Sequence, residues 1–476
     1  MKKLARWGLA AFVGLFLCLC LLPSTGMLAA PAEEAVGNEH LTAMPGLQNA
    51  DGSWNENYFS ELSSWLSDHI AFRHELITLH ARLCGALFGT LPSEDVVLGA
   101  DGWLYYADTL PDYQGAGLMT ERECWAAARV LALMQEYCQE RGAQFLFTVA
   151  PNKNSLYPEA MPARYQRSGA VGNAQRIAGR LEEMGVPYLD LFALLGGQEQ
   201  TLYFRTDSHW NTLGAALAGD AISSALGKPE DPFWGQPYQT APTHKGDLYE
   251  MVYPAGDLLE EDAVFDRAFR FTYPNGLRSA EDITIRTQNE GETGSLLMFR
   301  DSFGNALYPF LAERYGAACF SRAMPYNLTY LEREQADTLV VEIVERNLLW
   351  LVQRPAVMPA PQREDASAGW QADGAVEAAA TAAPSSELEG YVEVSGVIRC
   401  PAMDVDSPIY LRAGGQVYEA SPAGEGEVPL HRLPARRGGR PAAGTGGVLP
   451  GRVAVLHGRA GSGGINVASQ GPSGPC

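Results

Sequence analysis

The sequence predicts an α/β fold, in which a doubly wound parallel sheet carries helices on both faces and a small β-module follows it. The first observation is a set of short segments that are apolar throughout: QFLFTVA (144–150), SLLMF (295–299) and DTLVVEIV (337–344). The second is that helical patterns separate these segments. Strands that are apolar on both sides are buried on both faces, which is typical of parallel sheets covered by helices.

The N-terminal part of this domain is predicted to add a helix and a hairpin. Apolar residues recur at helical spacing over 58–87. Two short apolar runs, 96–99 and 103–106, flank the pair Asp101-Gly102. Because an Asp-Gly pair between apolar runs is a strong turn signal, these runs are expected to form a β-hairpin.

The central part of the chain alternates between helix and strand patterns. Strands are expected over 144–150, 186–192, 295–299, 317–321 and 337–344, and helices over 121–141, 174–184, 213–226, 306–315 and 330–335. In open α/β sheets, ligands bind beyond the carboxyl ends of the strands. Functional residues are therefore expected in the loops that follow these strands.

The N-terminus has the layout of an export signal. Lys2, Lys3 and Arg6 precede an apolar run over 7–22, and small residues around Ala30 follow it. Residues 1–32 are therefore predicted to be a signal peptide or an N-terminal membrane anchor, and the protein is expected to be secreted or extracytoplasmic.

Composition divides the rest of the chain. A linker over 33–45 precedes the α/β domain, which is assigned to 46–355. An Ala/Pro-rich linker over 356–387 and a small β-module over 388–427 are expected to follow. Over 428–476 the chain contains Arg but no Lys, Asp or Glu, and it shows no periodicity. This last part is either an irregular or disordered tail, or sequence read out of frame.

Charge and cysteine usage limit the partners. The chain of 476 residues has a formal net charge of −21. Nucleic acid and anionic membrane surfaces are disfavoured as partners, since binding phosphate requires clustered Lys and Arg. Membrane contact is expected only through the N-terminal segment. No cysteine or histidine cluster has zinc spacing, and no metal or other cofactor is expected.

The stretch FRTDSHWN (204–211) is the first candidate for chemistry. Asp207 and His209 could be the acid and base of a catalytic triad, two metal ligands, or polar residues of a loop. A metal site is disfavoured because no other histidine lies at a supporting spacing. In a triad, Asp207 would orient the imidazole while its other nitrogen takes a proton from a nucleophile. Ser208 is too close in sequence to reach that nitrogen.

Ser302 is the best candidate nucleophile. It lies directly after the predicted strand 295–299 and before the predicted helix 306–315. A serine at a strand-to-helix turn can expose its hydroxyl, and the helix N-terminus can stabilise an oxyanion. The alternative is that Asp301 and Ser302 only cap the helix, as these residue types often do.

Both segments together resemble a known family. Asp301-Ser302-Phe303 is similar to the nucleophile block of SGNH (GDSL-like) hydrolases, with Arg300 where glycine is usual. A D-x-H-W-N motif placed before that serine resembles the permuted SGNH domains of alginate O-acetyltransferases and DHHW-type exported proteins. The stretches DHIAFR (68–73), GADGWLYY (99–106) and APNKNSLYPE (150–159) also match. The resemblance covers 55–350 and implies a flavodoxin-like, SGNH-type sheet.

The resemblance implies roles for three residues and leaves others as candidates. Ser302 would be the nucleophile, His209 the base and Asp207 the orienting acid. The candidates for oxyanion stabilisation or substrate binding are Asn152, Lys153, Asn154, Tyr157, Arg205, Trp210, Arg300 and Arg346. For the asparagines a polar turn is an equally good explanation, for Trp210 packing, and for Arg346 a surface ion pair.

The implied function is acyl transfer. The expected activity is that of an O-acyltransferase that moves an acetyl group to a cell-envelope or secreted polysaccharide, with a membrane partner supplying the acyl group as a further option. The alternatives are a carbohydrate acetylesterase with the same triad, and an inactive SGNH-like protein that binds glycans or acts as a scaffold. Arg300, which departs from the family pattern, leaves room for a changed pocket.

Overall fold

The structure is a computed structural model. It describes residues 7, 10–17, 21, 26–27, 41–365, 377–399, 404–413, 415–422, 453–459, 466–471 and 474–475. Most of the predicted signal segment, the predicted linker before 41 and much of the C-terminal tail therefore lie outside the described residues. Within the described part of the chain, no helix is both long enough and apolar enough to cross a membrane.

A six-stranded sheet forms the centre of the domain. Its strands are β3 (Gln144–Ala150), β4 (Tyr188–Leu189), β7 (Thr284–Gln288), β8 (Ser295–Phe299), β9 (Ala317–Ser321) and β10 (Thr338–Val344), in the order β4-β3-β10-β8-β9-β7. All neighbours are parallel except β7, which pairs antiparallel with β9 at one edge. The last parallel strand, β10, is inserted between β3 and β8, whereas flavodoxin-like sheets run 2-1-3-4-5.

Helices cover both faces of this sheet, as the sequence predicts. Among residues 41–365, the helices are α1 (Tyr58–His69), α2 (Arg73–Phe88), α3 (Leu110–Gln114), α4 (Glu121–Gln139), α5 (Lys153–Leu156), α6 (Asn173–Met184), α7 (Leu191–Gly196), α8 (Thr212–Ala225), α9 (Asp247–Val252), α10 (Gly304–Ala312), α11 (Tyr330–Arg333) and α12 (Trp350–Gln353). Helices α4 and α6 pack on one face, and α8 and α10 on the other. The doubly wound α/β prediction is therefore confirmed.

Alternation along β10 shows why its sequence is apolar throughout. Leu339, Val341 and Ile343 pack into the core on the α4 side. Val340 and Val344 pack into the core on the α8 side. Successive side chains of a strand point to opposite faces, so a strand buried on both faces needs apolar residues at nearly every position. The polar exceptions are Thr338, at the start of the strand, and Glu342, which is fully buried.

The predicted helix over 58–87 is wrong in one respect, because the structure divides it into α1 and α2. The break lies at Ile70, whose backbone is extended, and at Phe72, whose φ of 62° is left-handed. The predicted hairpin is confirmed, since β1 (Val96–Leu98) pairs antiparallel with β2 (Leu104–Tyr106).

The predicted strand over 186–192 is also shorter than expected. Only Tyr188–Leu189 pairs with the sheet, and α7 begins immediately after Asp190. The Asp190 carboxylate accepts hydrogen bonds from the backbone N–H groups of Phe192 and Ala193. This N-cap ends the strand and starts the helix within an apolar run, where side-chain periodicity gives no boundary.

An excursion between α8 and β7 was not predicted. It contains the antiparallel pair β5 (Tyr238–His244) and β6 (Glu260–Phe265), which flank α9. β5 is mostly exposed and carries Ala241 and Pro242 among mainly polar residues, so it lacks a clear strand pattern. This excursion matters because it adds residues to the site described below.

The C-terminal part is more regular than the sequence indicates. Short strands β11 (Gln362–Arg363) and β12 (Glu377–Pro384) lie inside the predicted linker 356–387, and β13 (Tyr391–Arg399), β14 (Ile409–Ala413) and β15 (Gln416–Glu419) form the predicted β-module. Described strands also occur in the predicted tail: β16 (Val453–Arg459), β17 (Asn466–Gly471) and β18 (Gly474–Pro475). Ala- and Gly-rich strands pair through the backbone, so side-chain alternation does not reveal them.

Core packing against β8 supports a stability prediction. Leu297 is fully buried in β8, whereas Leu87 in α2 is 69% exposed. Leu297→Ala should lower the free energy of unfolding by about 2–5 kcal/mol, because it removes buried surface and leaves a cavity. Leu87→Ala, the matched control, should change it by less than about 0.5 kcal/mol. Urea unfolding followed by fluorescence measures both, and equal losses would contradict the assigned core.

Candidate active site

The site lies at the carboxyl edge of the central sheet. Ser302 follows β8, Asn152 follows β3 and Arg346 follows β10, which lies between those two strands. Because these strands are parallel, the loops that follow them meet at one edge. The loop that carries Asp207 and His209 precedes α8 and reaches the same place.

Three side chains form one hydrogen-bonded series. The His209 Nε2 atom is 2.8 Å from the Ser302 Oγ atom, and the Nδ1 atom of the same ring is 2.7 Å from Asp207 Oδ1. Asp207 Oδ1 also accepts the backbone N–H of His209 at 2.8 Å. The two-residue offset thus folds the carboxylate back onto its own histidine. The structure therefore brings together all three residues that were predicted to form the triad.

The turn that carries Ser302 is held by its neighbour. Asp301 accepts hydrogen bonds from the backbone N–H groups of Phe303 at 2.9 Å and Val344 at 2.7 Å. Asp301 therefore ties the β8–α10 turn to the end of β10. Helix α10 begins at Gly304 without a side-chain cap. The alternative that Ser302 only caps this helix is not supported, since its hydroxyl faces His209 instead.

Asp207 has a second histidine on its other oxygen, which the sequence analysis missed. Asp207 Oδ2 lies 2.8 Å from His244 Nε2 and accepts the backbone N–H of Asp247 at 3.0 Å. His244 ends β5 and Asp247 begins α9. The signal in the sequence was the run H-K-G-D at 244–247, which stands far from FRTDSHWN along the chain.

These contacts shift the pKa values of the acid and the base in opposite directions. Burial alone would raise the pKa of Asp207, but the two histidines outweigh it and hold that pKa well below its usual value. Burial alone would lower the pKa of His209, but the charge and hydrogen bond of Asp207 raise it above its usual value. The pair is thus poised as carboxylate and basic imidazole.

Ser208 and Asp247 form a second layer beside the His209 ring. The Ser208 hydroxyl donates to Asp247 Oδ2 at 2.6 Å, and Asp247 Oδ1 accepts the backbone N–H of Ser208 at 2.7 Å. Ligand atoms of Asp207, His209 and Asp247 come within 4.8 Å of one another, a spacing that could hold a cation. In this arrangement those atoms are used in direct hydrogen bonds to protein groups.

Lys153 holds the loop that carries the acid and the base. Its ammonium donates to the backbone carbonyls of Phe204 at 3.1 Å, Arg205 at 2.9 Å and Asp207 at 2.5 Å. The side chain is only 3% exposed, and burial lowers its pKa to about 8. Lys153 therefore shapes the backbone around Asp207, which differs from the predicted substrate contact.

The two asparagines beside Lys153 are buried and partly satisfied. Asn152 donates from its side chain to Asp112 at 3.1 Å and from its backbone N–H to Glu345 at 2.9 Å. Asn154 donates to the Thr109 hydroxyl at 2.8 Å. The side-chain oxygens of both asparagines have no hydrogen-bond partner among the residues that the structure describes. Asn152 and Asn154 are thus built into the site wall rather than into an exposed polar turn.

Tyr157, Arg205 and Trp210 have structural contacts. The Tyr157 hydroxyl accepts the backbone N–H of Leu202 at 2.8 Å, and the Arg205 backbone N–H donates to Glu260 at 2.8 Å. Trp210 is fully buried and donates to the Phe303 carbonyl at 3.1 Å. Trp210 therefore packs beneath the triad and cannot stack on a sugar in this arrangement.

The two arginine candidates differ. Arg300 is 1% exposed and donates to the Ala280 carbonyl at 2.8 Å and to Asn305 Oδ1 at 2.5 Å, which fixes the β8–α10 turn. The guanidinium of Arg346 lies over the rings of Tyr106 and Phe303, at 5.3 and 5.7 Å from their centroids. Its buried Nη1 atom has no hydrogen-bond partner in the described part of the chain. Arg300 also has a buried nitrogen, Nε, without a partner among the described residues, but its other nitrogens are committed to the turn.

The buried charge of Lys153 predicts a pH effect on stability. A folded pKa of about 8 lies below the ordinary 10.5, so the unfolded chain binds more protons between these values. The contribution of Lys153 to the free energy of unfolding therefore increases as pH rises from about 8 to about 10.5. The free energy of unfolding of wild type minus that of Lys153→Met should increase by about 3 kcal/mol over this window.

Urea unfolding at a series of pH values measures this difference. The partly exposed Lys245 supplies the matched control. Because Lys245→Met leaves Lys153 in place, its free energy of unfolding should change with pH as that of the wild type does. Parallel curves for the wild type and Lys153→Met would contradict a lowered pKa for Lys153.

Part of the chain is similar to known proteins. Residues 96–266 match the family model described as SGNH hydrolase-like domain, acetyltransferase AlgX. Probable alginate O-acetylase AlgJ of Pseudomonas syringae is 32% identical over 165 residues, which is 32% of this chain and 40% of the relative. AlgJ of Pseudomonas aeruginosa is 27% identical over 35% of this chain and 43% of the relative. The chain thus spans less than half the length of these curated relatives.

Two solved structures match this chain at low sequence identity. A DHHW family protein from Eubacterium siraeum gives a TM-score of 0.41 at 17% identity, covering 53% of this chain and 91% of that one. The O-acetyltransferase domain of Pseudomonas putida AlgJ gives 0.38 at 20% identity, with the same two coverages. The family-model match and the curated relatives confirm the resemblance stated from the motifs: over part of its length, the chain is similar to the SGNH hydrolase-like domains of alginate O-acetyltransferases.

Proposed function

We propose that the protein is a serine O-acyltransferase that moves an acetyl group to a hydroxyl of an extracytoplasmic polysaccharide. The observation that carries this proposal is the continuous series Asp207–His209–Ser302, with a nitrogen-to-oxygen distance of 2.8 Å at the nucleophile. A hydroxyl hydrogen-bonded to a basic imidazole, itself held by a carboxylate, is the arrangement that activates serine.

The first half-reaction forms an acyl-enzyme. His209 Nε2 takes the proton of the Ser302 hydroxyl as Oγ bonds to the acyl carbonyl carbon. The tetrahedral intermediate then collapses, the bond to the donor breaks, and the proton on His209 passes to the leaving oxygen. Asp207 stays ionised throughout, because the two histidines hold its pKa well below the usual value.

The second half-reaction regenerates the serine. A sugar hydroxyl enters beside His209, loses its proton to Nε2, and attacks the acyl-serine carbonyl carbon. The Ser302–acyl bond breaks, Ser302 recovers the proton from His209, and the sugar ester leaves. The His209 side chain is 23% exposed, which gives an acceptor access to the base.

The oxyanion of both intermediates needs donors beside Ser302. The backbone N–H of Ser302 is one candidate, because it belongs to the nucleophile itself and lies between β8 and the N-terminus of α10. Arg346 is a second candidate, because its guanidinium lies over Phe303, the residue after the nucleophile, and one of its nitrogens is unpaired among the described residues. Water can replace the sugar hydroxyl in the second half-reaction, which is the acetylesterase alternative.

The names of the relatives support the proposed substrate class. Those relatives are called probable alginate O-acetylases, so a polysaccharide is the proposed acceptor. The proposed location outside the cytoplasm rests on the N-terminal sequence, and a membrane protein is proposed as the source of acyl groups. No role is proposed for a metal or other cofactor.

Removing the nucleophile tests the proposal. Ser302→Ala should reduce release of nitrophenol from a nitrophenyl acetate by about a thousandfold or more, because no acyl-enzyme can form. Ser224→Ala, an exposed serine of α8, is the matched control and should retain full activity. Equal activity of Ser302→Ala and wild type would refute the proposal. Release of acetate without transfer to any added glycan would favour the acetylesterase.

The raised pKa of His209 sets the pH dependence. Only the neutral imidazole can accept the serine proton, so kcat/KM should fall on the acid side with a midpoint above 6.5, the ordinary value. Asp207→Asn removes the charge that raises this pKa, so the midpoint should move to lower pH while the maximal rate falls by several orders of magnitude. A midpoint that moves to higher pH in Asp207→Asn would contradict this assignment.

A further inference from the structure

We propose that His244 is a positioning residue of the active site, which holds the Asp207 carboxylate in the orientation that serves His209 and reduces the charge that His209 experiences. This inference rests on the proposed function. In this arrangement two histidines share the Asp207 carboxylate, and only one of them, His209, contacts the nucleophile Ser302.

The two carboxylate oxygens of Asp207 contact different parts of the chain. Oδ1 faces His209, with contacts at 2.7 Å to Nδ1 and 2.8 Å to the backbone N–H. Oδ2 faces the excursion, with contacts at 2.8 Å to His244 Nε2 and 3.0 Å to the backbone N–H of Asp247. A carboxylate with donors on both oxygens cannot rotate without breaking several hydrogen bonds. Asp207 is therefore fixed by His244 as well as by its own loop.

Local backbone features bring His244 to this position. The pairing of β5 with β6 shifts register between Pro242 and His244, and such an irregularity redirects a side chain. The His244 ring then stacks on Phe204, with centroids 3.7 Å apart and planes within 8°. A Cβ on Gly246 would overlap the Thr206 carbonyl, so glycine permits this close approach.

The surroundings of His244 are acidic. Besides Asp207, it faces the carboxylates of Asp262 and Glu260 on β6. Burial lowers the pKa of His244, but these carboxylates outweigh it and raise that pKa above the usual value. Around Asp207 itself, the other charged groups are Lys153, whose ammonium contacts its backbone carbonyl, and Asp247 beside His209. These carboxylates thus stabilise the cationic form of His244.

A cation at Oδ2 has a definite effect on the base at Oδ1. It withdraws part of the carboxylate charge, so Asp207 raises the pKa of His209 less than it otherwise would. A ring that only filled space against Phe204 would have no such effect. The titration of His209 therefore distinguishes a positioning role of His244 from a packing role, whereas the stability of the fold does not.

Three variants distinguish the contributions that His244 makes as a hydrogen-bond donor, as a charge and as a packed ring. His244→Gln keeps an N–H donor but no charge, and His244→Phe keeps the stack on Phe204 but neither donor nor charge. His80→Gln, at an exposed position of α2, is the control. Histidine labelled at Cε1 is titrated by NMR in each protein, with the His209 signal assigned by its loss in His209→Gln.

The pKa of His209 should be higher in His244→Gln and His244→Phe than in wild type, and unchanged in His80→Gln. In nitrophenyl acetate turnover, the acid limb of kcat/KM should shift the same way. His244→Phe should lose about tenfold or more in kcat because the carboxylate loses a charged hydrogen bond, and His244→Gln should recover most of that loss.

An unchanged His209 titration in folded His244→Gln would overturn the inference, and that variant decides the question if His244→Phe does not fold. The NMR titration needs no turnover. Absence of Ser302-dependent activity in wild type would therefore count against the proposed function alone, while a shifted His209 titration would still support the role of His244.

Discussion

The carboxylate of Asp207 is the group on which the rest of the site depends. It is buried, it carries a charge, and it is stabilised by four hydrogen-bond donors from two separate parts of the chain. A buried charge is costly unless it is paired and fully hydrogen-bonded. Three parts of the structure meet that requirement: the loop at 204–211, the hydrogen bonds that Lys153 donates to this loop, and the excursion that carries His244. Together they fix the His209 ring, which faces Ser302.

Much of this could be predicted because the relevant signals are local. Strands buried on both faces have a distinctive apolar sequence, so the parallel sheet and its carboxyl edge follow from β3, β8 and β10. Asp207, His209 and Ser302 lie in short motifs whose order resembles a known family. The turn after β8 brings Ser302 to the same edge as the loop before α8, and the 2.8 Å contact between Ser302 and His209 agrees with that expectation.

The remainder depended on tertiary contacts that no local pattern reports. His244 and Asp247 belong to an exposed hairpin and a short helix whose sequence shows neither clear alternation nor helical spacing. The sequence makes Lys153 a candidate for substrate binding, but three backbone carbonyls of a distant loop accept hydrogen bonds from its ammonium group. The sequence makes Trp210 and Arg300 candidates for substrate binding, yet both side chains are buried. Large side chains beneath the turn that carries Ser302 support that turn.

The central claim is that Ser302 carries the acyl group, and the most direct test is to trap that species. The protein is mixed with a nitrophenyl acetate, quenched in acid within the first turnover, digested, and the peptide that contains Ser302 is analysed by mass spectrometry. The account predicts an acetyl adduct on Ser302 that disappears when a glycan acceptor is added before the quench, and that is absent in His209→Gln. An adduct confined to another residue, or one on Ser302 that forms equally well in His209→Gln, would contradict it.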